Sequence, residues 1–190
     1  VFTELSPLGI KYFQGDLTAD TDLSGLLDGV DILFHCAGEI LNPARMIELH
    51  INGTERLIHA AAGKIKRWVQ LSSTGAYGPR REGVVLETDD LKPIGLYETS
   101  KAGSDELVTH FSDQGAFDHV ILRPSIVFGP EMPNQSLFAM LRMIEKGLFF
   151  YIGRPGSSAN YIHVDNVVKA LIDCGLKDEA KGQVFNISDY

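Results

Sequence analysis

Cationic residues, cysteines and long apolar runs are all scarce in this sequence, and each scarcity closes off a class of function. Lysine and arginine number 17 against 25 aspartates and glutamates, a formal net charge of −8. A general binder of nucleic acid or of anionic membranes needs the opposite balance, so only a local basic pocket stays open. The two cysteines, Cys36 and Cys174, lie in apolar stretches with no second Cys or His at metal-ligand spacing. They are expected to be buried thiols of a reducing compartment, with no metal site and no disulfide framework. No run of about 18 apolar residues is present to cross a bilayer, and no charged-then-apolar leader opens the chain. A soluble, cytoplasmic protein is the expectation. No unit of about 20–50 residues recurs and no segment is of low complexity, which argues against solenoids and disordered tails. An initiator methionine is also missing: the chain opens on Val1-Phe-Thr-Glu4 and closes on Ile187-Ser-Asp-Tyr190, so both ends read as cut.

What is present suits one globular domain: 190 residues, 44% hydrophobic, with a mean hydropathy near zero. Short apolar runs alternate with helical periodicity. Ile10–Phe13, Val30–Cys36, Trp68–Leu71 and Val120–Leu122 each end in turn residues and predict strands buried on both faces of a parallel sheet. Between them, Leu23, Leu26 and Leu27 predict a short helix after Asp22. Met46, Leu49, Thr54, Leu57, Ile58 and Ala61 predict a longer helix, and a third runs from about Leu96 to Phe111. This is an open α/β sheet with right-handed crossovers. After Pro130 the spacing predicts a helix from about Leu137 to Lys146, then Phe149–Ile152, a loop over Gly153–Ser158 and Tyr161-Ile-His-Val164. A helix capped by Asp165, with Val167, Val168, Leu171 and Ile172 inward, precedes a last strand, Val184–Ile187.

One pair stands out for chemistry. Tyr97 and Lys101 lie four positions apart at the start of the third helix, so both side chains leave one face, a turn apart. An ammonium beside a phenol favours the phenolate, which makes an acid/base device; the same spacing also occurs in any exposed surface helix. In open α/β sheets ligands bind beyond the carboxyl ends of the strands. The residues there are Gly15-Asp16, Cys36-Ala37-Gly38, Ser72-Ser73-Thr74 and Arg123-Pro124-Ser125. Ala37 and Gly38 admit a close ligand or simply form a turn. Asp16 can accept a hydrogen bond from an adenine amino group or simply end a strand, and Ser73 can bond a substrate oxygen or stabilise a turn.

Taken in order, the segments Gly15-Asp16-Leu17, Phe34–Gly38, Asn52-Gly-Thr54 with Leu57 and Ala60–Ala62, Val69–Gly78, Tyr97-x-x-x-Lys101 with Glu106, Leu122–Pro130 and Tyr161–Asp165 resemble the extended short-chain dehydrogenase/reductases, the NAD-dependent epimerase/dehydratase family. The resemblance runs along nearly the whole chain. It implies a Rossmann-like doubly wound parallel sheet, incomplete at the N-terminus, over residues 1–130. Residues 131–190 would then be partly substrate-covering and partly return elements of the sheet. It implies Tyr97 as catalytic acid/base, Lys101 lowering its pKa and holding the nicotinamide ribose, and Ser73 holding the reacting oxygen, with Thr74 as substitute. For NAD or NADP it implies Asp16 and Leu17 at the adenine, Ala37 and Gly38 at the pyrophosphate and ribose, Asn52 and Ser72 at the nicotinamide half, and Pro124 to Ile126 at the carboxamide. Hydride transfer would be the core step, with the redox chemistry left to the cofactor. A homodimer through the helices around Met46–Ala61 and Leu96–Phe111 is implied as well.

The chain departs from that pattern twice. The glycine-rich phosphate loop is absent, and a βαβ unit of about 30 residues ahead of Val1 is expected to carry it. The choice between NAD and NADP goes with that piece. Sugar-nucleotide members commonly carry an Arg before the Tyr161 block, to clamp a diphosphate, where this chain has Ala159-Asn160. Arg142, Lys146 or Arg154 can supply the charge instead. The expected function is a nucleotide-sugar epimerase or dehydratase; a reductase of a carbonyl or steroid-like substrate and a non-catalytic dinucleotide-sensing scaffold are the alternatives. Phe138, Met140, Met143 and Phe149 suit an apolar pocket or ordinary core packing, and His163 is expected to be structural.

Overall fold

Apolar runs flanked by turn residues become parallel strands when each can be covered on both faces. The computed structural model describes residues 9–80, 83–130, 132, 136–150 and 159–189. Its strands are β1 (Ile32–His35), β2 (Arg67–Leu71), β3 (Asp118–Pro124), β4 (Ile126–Phe128), β5 (Tyr161–His163) and β6 (Val184–Ile187). The main sheet has the order β1-β2-β3-β6, all parallel, and β4 and β5 form a separate parallel pair. Its helices are α1 (Pro43–Ile47), α2 (Thr54–Ala61), α3 (Leu96–Asp113), α4 (Ser136–Glu145) and α5 (Val164–Leu176). A π-helical turn, Glu48–Gly53, joins α1 to α2.

Side chains alternate across a strand, and here that alternation builds two cores. Trp68 joins Leu33, Leu57, Ile58, Val108 and Phe117 on one face, its indole stacked on Phe117 at 5.3 Å. Val69, the next residue, joins Val120, Leu122, Val167 and Leu171 on the other. Helices therefore cover both faces, which is the doubly wound, Rossmann-like arrangement. At the rim of the first core, His35 bonds Thr54 of α2 through Nε2 at 2.9 Å and meets the Trp68 ring edge-on at 5.2 Å.

Several expectations are corrected. Ile10–Phe13 is not a strand: β1 pairs with β2 alone among the described strands, and Ile10 is 51% exposed. Apolar character cannot make a strand whose backbone has no neighbouring strand to bond. After Asp22 there are consecutive turns rather than a helix, although Leu23 and Leu27 still reach the core. The cap of α5 is the His163 imidazole, which accepts the Asp165 N–H at 3.3 Å, and not Asp165 itself. Of the four α5 residues expected inward, Val167 and Leu171 are buried, whereas Val168 and Ile172 are 47% and 49% exposed, because a helix on one side of a sheet buries one stripe. Cys174 is buried as expected, whereas Cys36 is exposed at the end of β1. Phe138 and Met140 are half-buried and Met143 and Phe149 exposed, so these four belong to neither core. Tyr151, Ile152 and the Gly153–Ser158 loop with Arg154 lie outside the described residues. No helix among the described residues is long and apolar enough to cross a membrane.

Burial, with smaller contributions from Lys101 and His50, lowers the His35 pKa to about 3 from an ordinary value near 6.5. Unfolded chains therefore bind a proton at this residue that the folded protein refuses between those pH values, and stability falls as pH drops from about 6.5 to 3. Denaturant midpoints measured across that window should fall less steeply for His35→Gln than for the parent; equal slopes would show that His35 is not the group responsible.

Candidate active site

Three strands of the main sheet end at one cavity of about 990 Å³. Cys36, Ala37 and Gly38 follow β1, Leu71 ends β2 with Ser72 and Ser73 after it, and Pro124 ends β3 with Ser125 and Ile126 after it; all of these line it, with Tyr97 and Lys101 from the first turns of α3. The sequence-predicted Ser73, Tyr97, Lys101, Ala37, Gly38, Ser72, Pro124 and Ile126 are thus brought together. Asp16, Leu17 and Asn52 are not among the lining residues. The Asp16 carboxylate accepts from the Thr18 N–H and hydroxyl at 2.8 and 2.7 Å and pairs with Arg45. The Leu17 carbonyl accepts from Arg56 at 2.7 Å, and the Asn52 amide bonds the Glu48 carboxylate. Glu106 is exposed, whereas its neighbour Asp105 is buried.

Ser73 is held by its own backbone. Its extended conformation caps the 3₁₀ turn Thr74–Tyr77, with the hydroxyl oxygen accepting the Gly75 N–H at 3.1 Å. That leaves the hydroxyl proton to donate into the cavity. The Thr74 hydroxyl is instead engaged with the Pro124 carbonyl at 3.2 Å. The turn closes at Gly78, whose positive φ and contact with the Lys92 carbonyl leave no place for a side chain.

Lys101 is buried, and its ammonium donates to the Leu71 carbonyl at 2.6 Å, its one hydrogen-bond partner among the described residues. Two N–H donors therefore remain for a ligand. Burial lowers its pKa, opposed by Asp105 and Cys36. Burial first, then Glu98 and Asp105, push the Tyr97 phenol above 10, and the ammonium is turned to Leu71 rather than to the ring. At neutral pH this phenol holds its proton and makes no hydrogen bond to a described residue.

Beneath the cavity, Asp105 sits one turn beyond Lys101. A single carboxylate oxygen accepts from Ser72 Oγ at 2.7 Å and from Arg123 Nε and Nη2 at 3.1 and 3.0 Å. Arg123 Nη1 then donates to the Tyr77 hydroxyl at 2.8 Å, with the guanidinium 5.0 Å from the Tyr77 ring centroid. The network ties α3, the end of β2 and β3 together directly under Ser73.

A family model described as NAD dependent epimerase/dehydratase family matches residues 3–188. The chain belongs to that family. Short-chain dehydrogenase/reductase family 42E member 1 of Bos taurus is 30% identical to it, over 96% of this chain and 53% of that protein. UDP-glucose 4-epimerase of Vibrio cholerae is 25% identical, over 95% and 58%. UDP-glucuronic acid 4-epimerase from Bacillus cereus, solved with UDP-glucuronic acid and NAD, superposes with a TM-score of 0.80 at 20% identity, over 99% of this chain and 64% of that one. This last likeness establishes the fold. The chain spans about half the length of the curated relatives it matches.

Cys36, expected as a buried thiol at a strand end, lines the cavity, and one residue beside the site carried no expectation. His50 is buried beside Tyr97, their ring centroids 5.7 Å apart, where helical periodicity had turned Leu49 inward. The π-helical turn adds a residue to the helix and rotates its inner face; no sequence signal marks it.

Removing the Asp105 carboxylate leaves Arg123 buried without a counter-charge, so Asp105→Ala should cost about 3–5 kcal/mol in urea unfolding. A loss near zero would show the network to be dispensable. Ultraviolet tyrosinate titration of the parent minus Tyr97→Phe should give a midpoint above 10 that falls in Glu98→Gln; a midpoint below 10 contradicts the geometry.

Proposed function

We propose that this chain carries the catalytic site of an NAD(P)-dependent epimerase or dehydratase that moves a hydride at a hydroxyl-bearing carbon of a nucleotide-sugar. The observation that carries this reading is the convergence of Ser73, Tyr97 and Lys101 on one cavity at the carboxyl ends of parallel strands. The donors present fit the nicotinamide half of a dinucleotide. Lys101 offers two N–H groups to vicinal hydroxyls, and Ala37 and Gly38 leave the strand end open to close approach. When bound, the cofactor supplies the hydride donor and acceptor.

The chain's own residues then do three things. Ser73 donates its hydroxyl proton to the substrate oxygen and fixes that oxygen over the cavity floor. Tyr97 delivers or removes the proton on the same oxygen; its raised pKa keeps it protonated in the resting state, and both exchanges become easier when added positive charge nearby lowers that pKa. Lys101, fixed by the Leu71 carbonyl, places its ammonium below that exchange. Residues beyond Pro130 contribute part of the substrate side, with Met132 and Val164 on the cavity wall. A cytoplasmic location and a homodimer through the helices around Met46–Ala61 and Leu96–Phe111 belong to the same proposal, the second tested by sedimentation.

One observation favours a second reading. Ile40, Leu41, Ile126, Val127 and Met132 line the cavity, and no arginine does so among the described residues. That wall suits an apolar carbonyl or steroid-like substrate better than a diphosphate. Incubation with UDP-glucose, and separately with a carbonyl panel plus NADH or NADPH, separates the two by product and by absorbance of the reduced cofactor. Tyr97→Phe should lower turnover by about 10²–10⁴-fold with dinucleotide affinity retained; undiminished turnover removes Tyr97 from the mechanism. Dinucleotide binding without any turnover would favour the sensing scaffold.

A further inference from the structure

Helix α1 runs into α2 through the π-helical turn Glu48–Gly53, and that turn swings His50 into the protein beneath the cavity. Both ring nitrogens are engaged. Nε2 lies 2.8 Å from the backbone N–H of Glu39, in the loop that follows β1 and lines the cavity at Ala37, Gly38, Ile40 and Leu41. Nδ1 lies 2.7 Å from Ser100 Oγ, and that hydroxyl lies 2.9 Å from the Tyr97 carbonyl in the first turn of α3.

Donor and acceptor roles follow from chemistry. A backbone N–H only donates, so Nε2 is unprotonated. A carbonyl only accepts, so Ser100 gives its proton to Tyr97 and takes one from His50 Nδ1–H. Two independent partners thus require the same neutral tautomer. The His50 ring also meets the Tyr97 ring edge-on, with an interplanar angle of 79°.

We propose that His50 is a positioning residue: as the neutral Nδ1–H imidazole it ties the loop that shapes the ligand side of the cavity to the turn that carries Tyr97, so that the two move as one. Protonation breaks the tie, because Nε2–H would then face the Glu39 N–H, donor against donor. The charged and titratable groups around the ring are Lys101 and Tyr97 from α3, Glu39 from the loop and His35 from β1. Burial and Lys101 lower the His50 pKa to about 4, with Glu39 opposing, so the tie holds at neutral pH.

The kinetic half of the test rests on the hydride-transfer reading; the spectroscopic half does not. In the full chain labelled at histidine nitrogens, a long-range proton–nitrogen spectrum at neutral pH should show, for the signals that vanish in His50→Gln, a protonated Nδ1 and an unprotonated Nε2 that titrate well below 6.5. The opposite tautomer, or titration near 6.5, overturns the proposal whatever the protein catalyses. His50→Gln keeps an acceptor for Glu39 and loses the donor to Ser100, and Ser100→Ala removes the other end of that link. Both should lower kcat by about tenfold, the equivalent of one hydrogen bond, with dinucleotide affinity within about threefold of the parent. His50→Ala should lose both, with affinity about tenfold weaker. Unchanged kcat in His50→Gln and Ser100→Ala overturns the positioning role. Failure of the parent chain to bind NAD or NADP would strike the function proposed above and leave the tautomer result to decide His50.

Discussion

The Asp105 carboxylate is the constraint on which the site depends. One buried oxygen collects hydrogen bonds from Ser72 on β2, and from Arg123 on β3, while Asp105 itself sits on α3, one turn beyond Lys101. Three elements that contribute to the cavity are therefore registered against each other by one atom. The ion pair need not add net stability, since desolvation of both partners offsets most of their attraction. Its geometric effect is separate from its energy: α3 cannot rotate or slide along the sheet without breaking charge-assisted bonds in a dry interior. Tyr97 and Lys101 inherit that fixity.

Around this anchor the main chain performs much of the preparation. Ser73 is aimed by the turn it caps, Lys101 by the Leu71 carbonyl, and Tyr97 by burial against His50. None of these is a side-chain pair chosen for charge. The phenol illustrates the consequence, because a buried tyrosine beside Glu98 holds its proton more tightly than one in water. Its use as a base depends on positive charge that the resting cavity directs elsewhere.

Legibility in the sequence followed the length scale of the interaction. Strand cores such as Trp68–Leu71 and Val120–Leu122 were readable because burial on both faces leaves a continuous apolar run. The long α3 was readable because one face repeats along many turns. Tyr97, Lys101, Ser73 and the strand-end residues Ala37, Gly38 and Pro124 were readable from their order along the chain, and the structure gathers them at one cavity. Ile10–Phe13 and the Leu23–Leu27 segment misled because local pattern cannot supply a pairing strand or a helical continuation. At Asn52 the π-helical turn shifts the inner face, so His50 takes the place beside Tyr97 and Asn52 turns to Glu48. Asp105 and Glu106 are adjacent carboxylates, and only the packing of α3 against β3 distinguishes the buried one from the exposed one.

By itself, the sequence determined the alternation of strands and helices, the family, and which residue types stand at the strand ends. Each of these is a property of neighbours along the chain or of their order. Only the tertiary structure decided which of those residues share a cavity, that Asp16, Leu17 and Asn52 stand outside it, and that the Lys101 ammonium bonds the Leu71 carbonyl. It also decided which proton His50 keeps. Those outcomes rest on hydrogen bonds and burial between residues far apart in the chain, and such contacts leave no periodicity or spacing for a linear reading to detect.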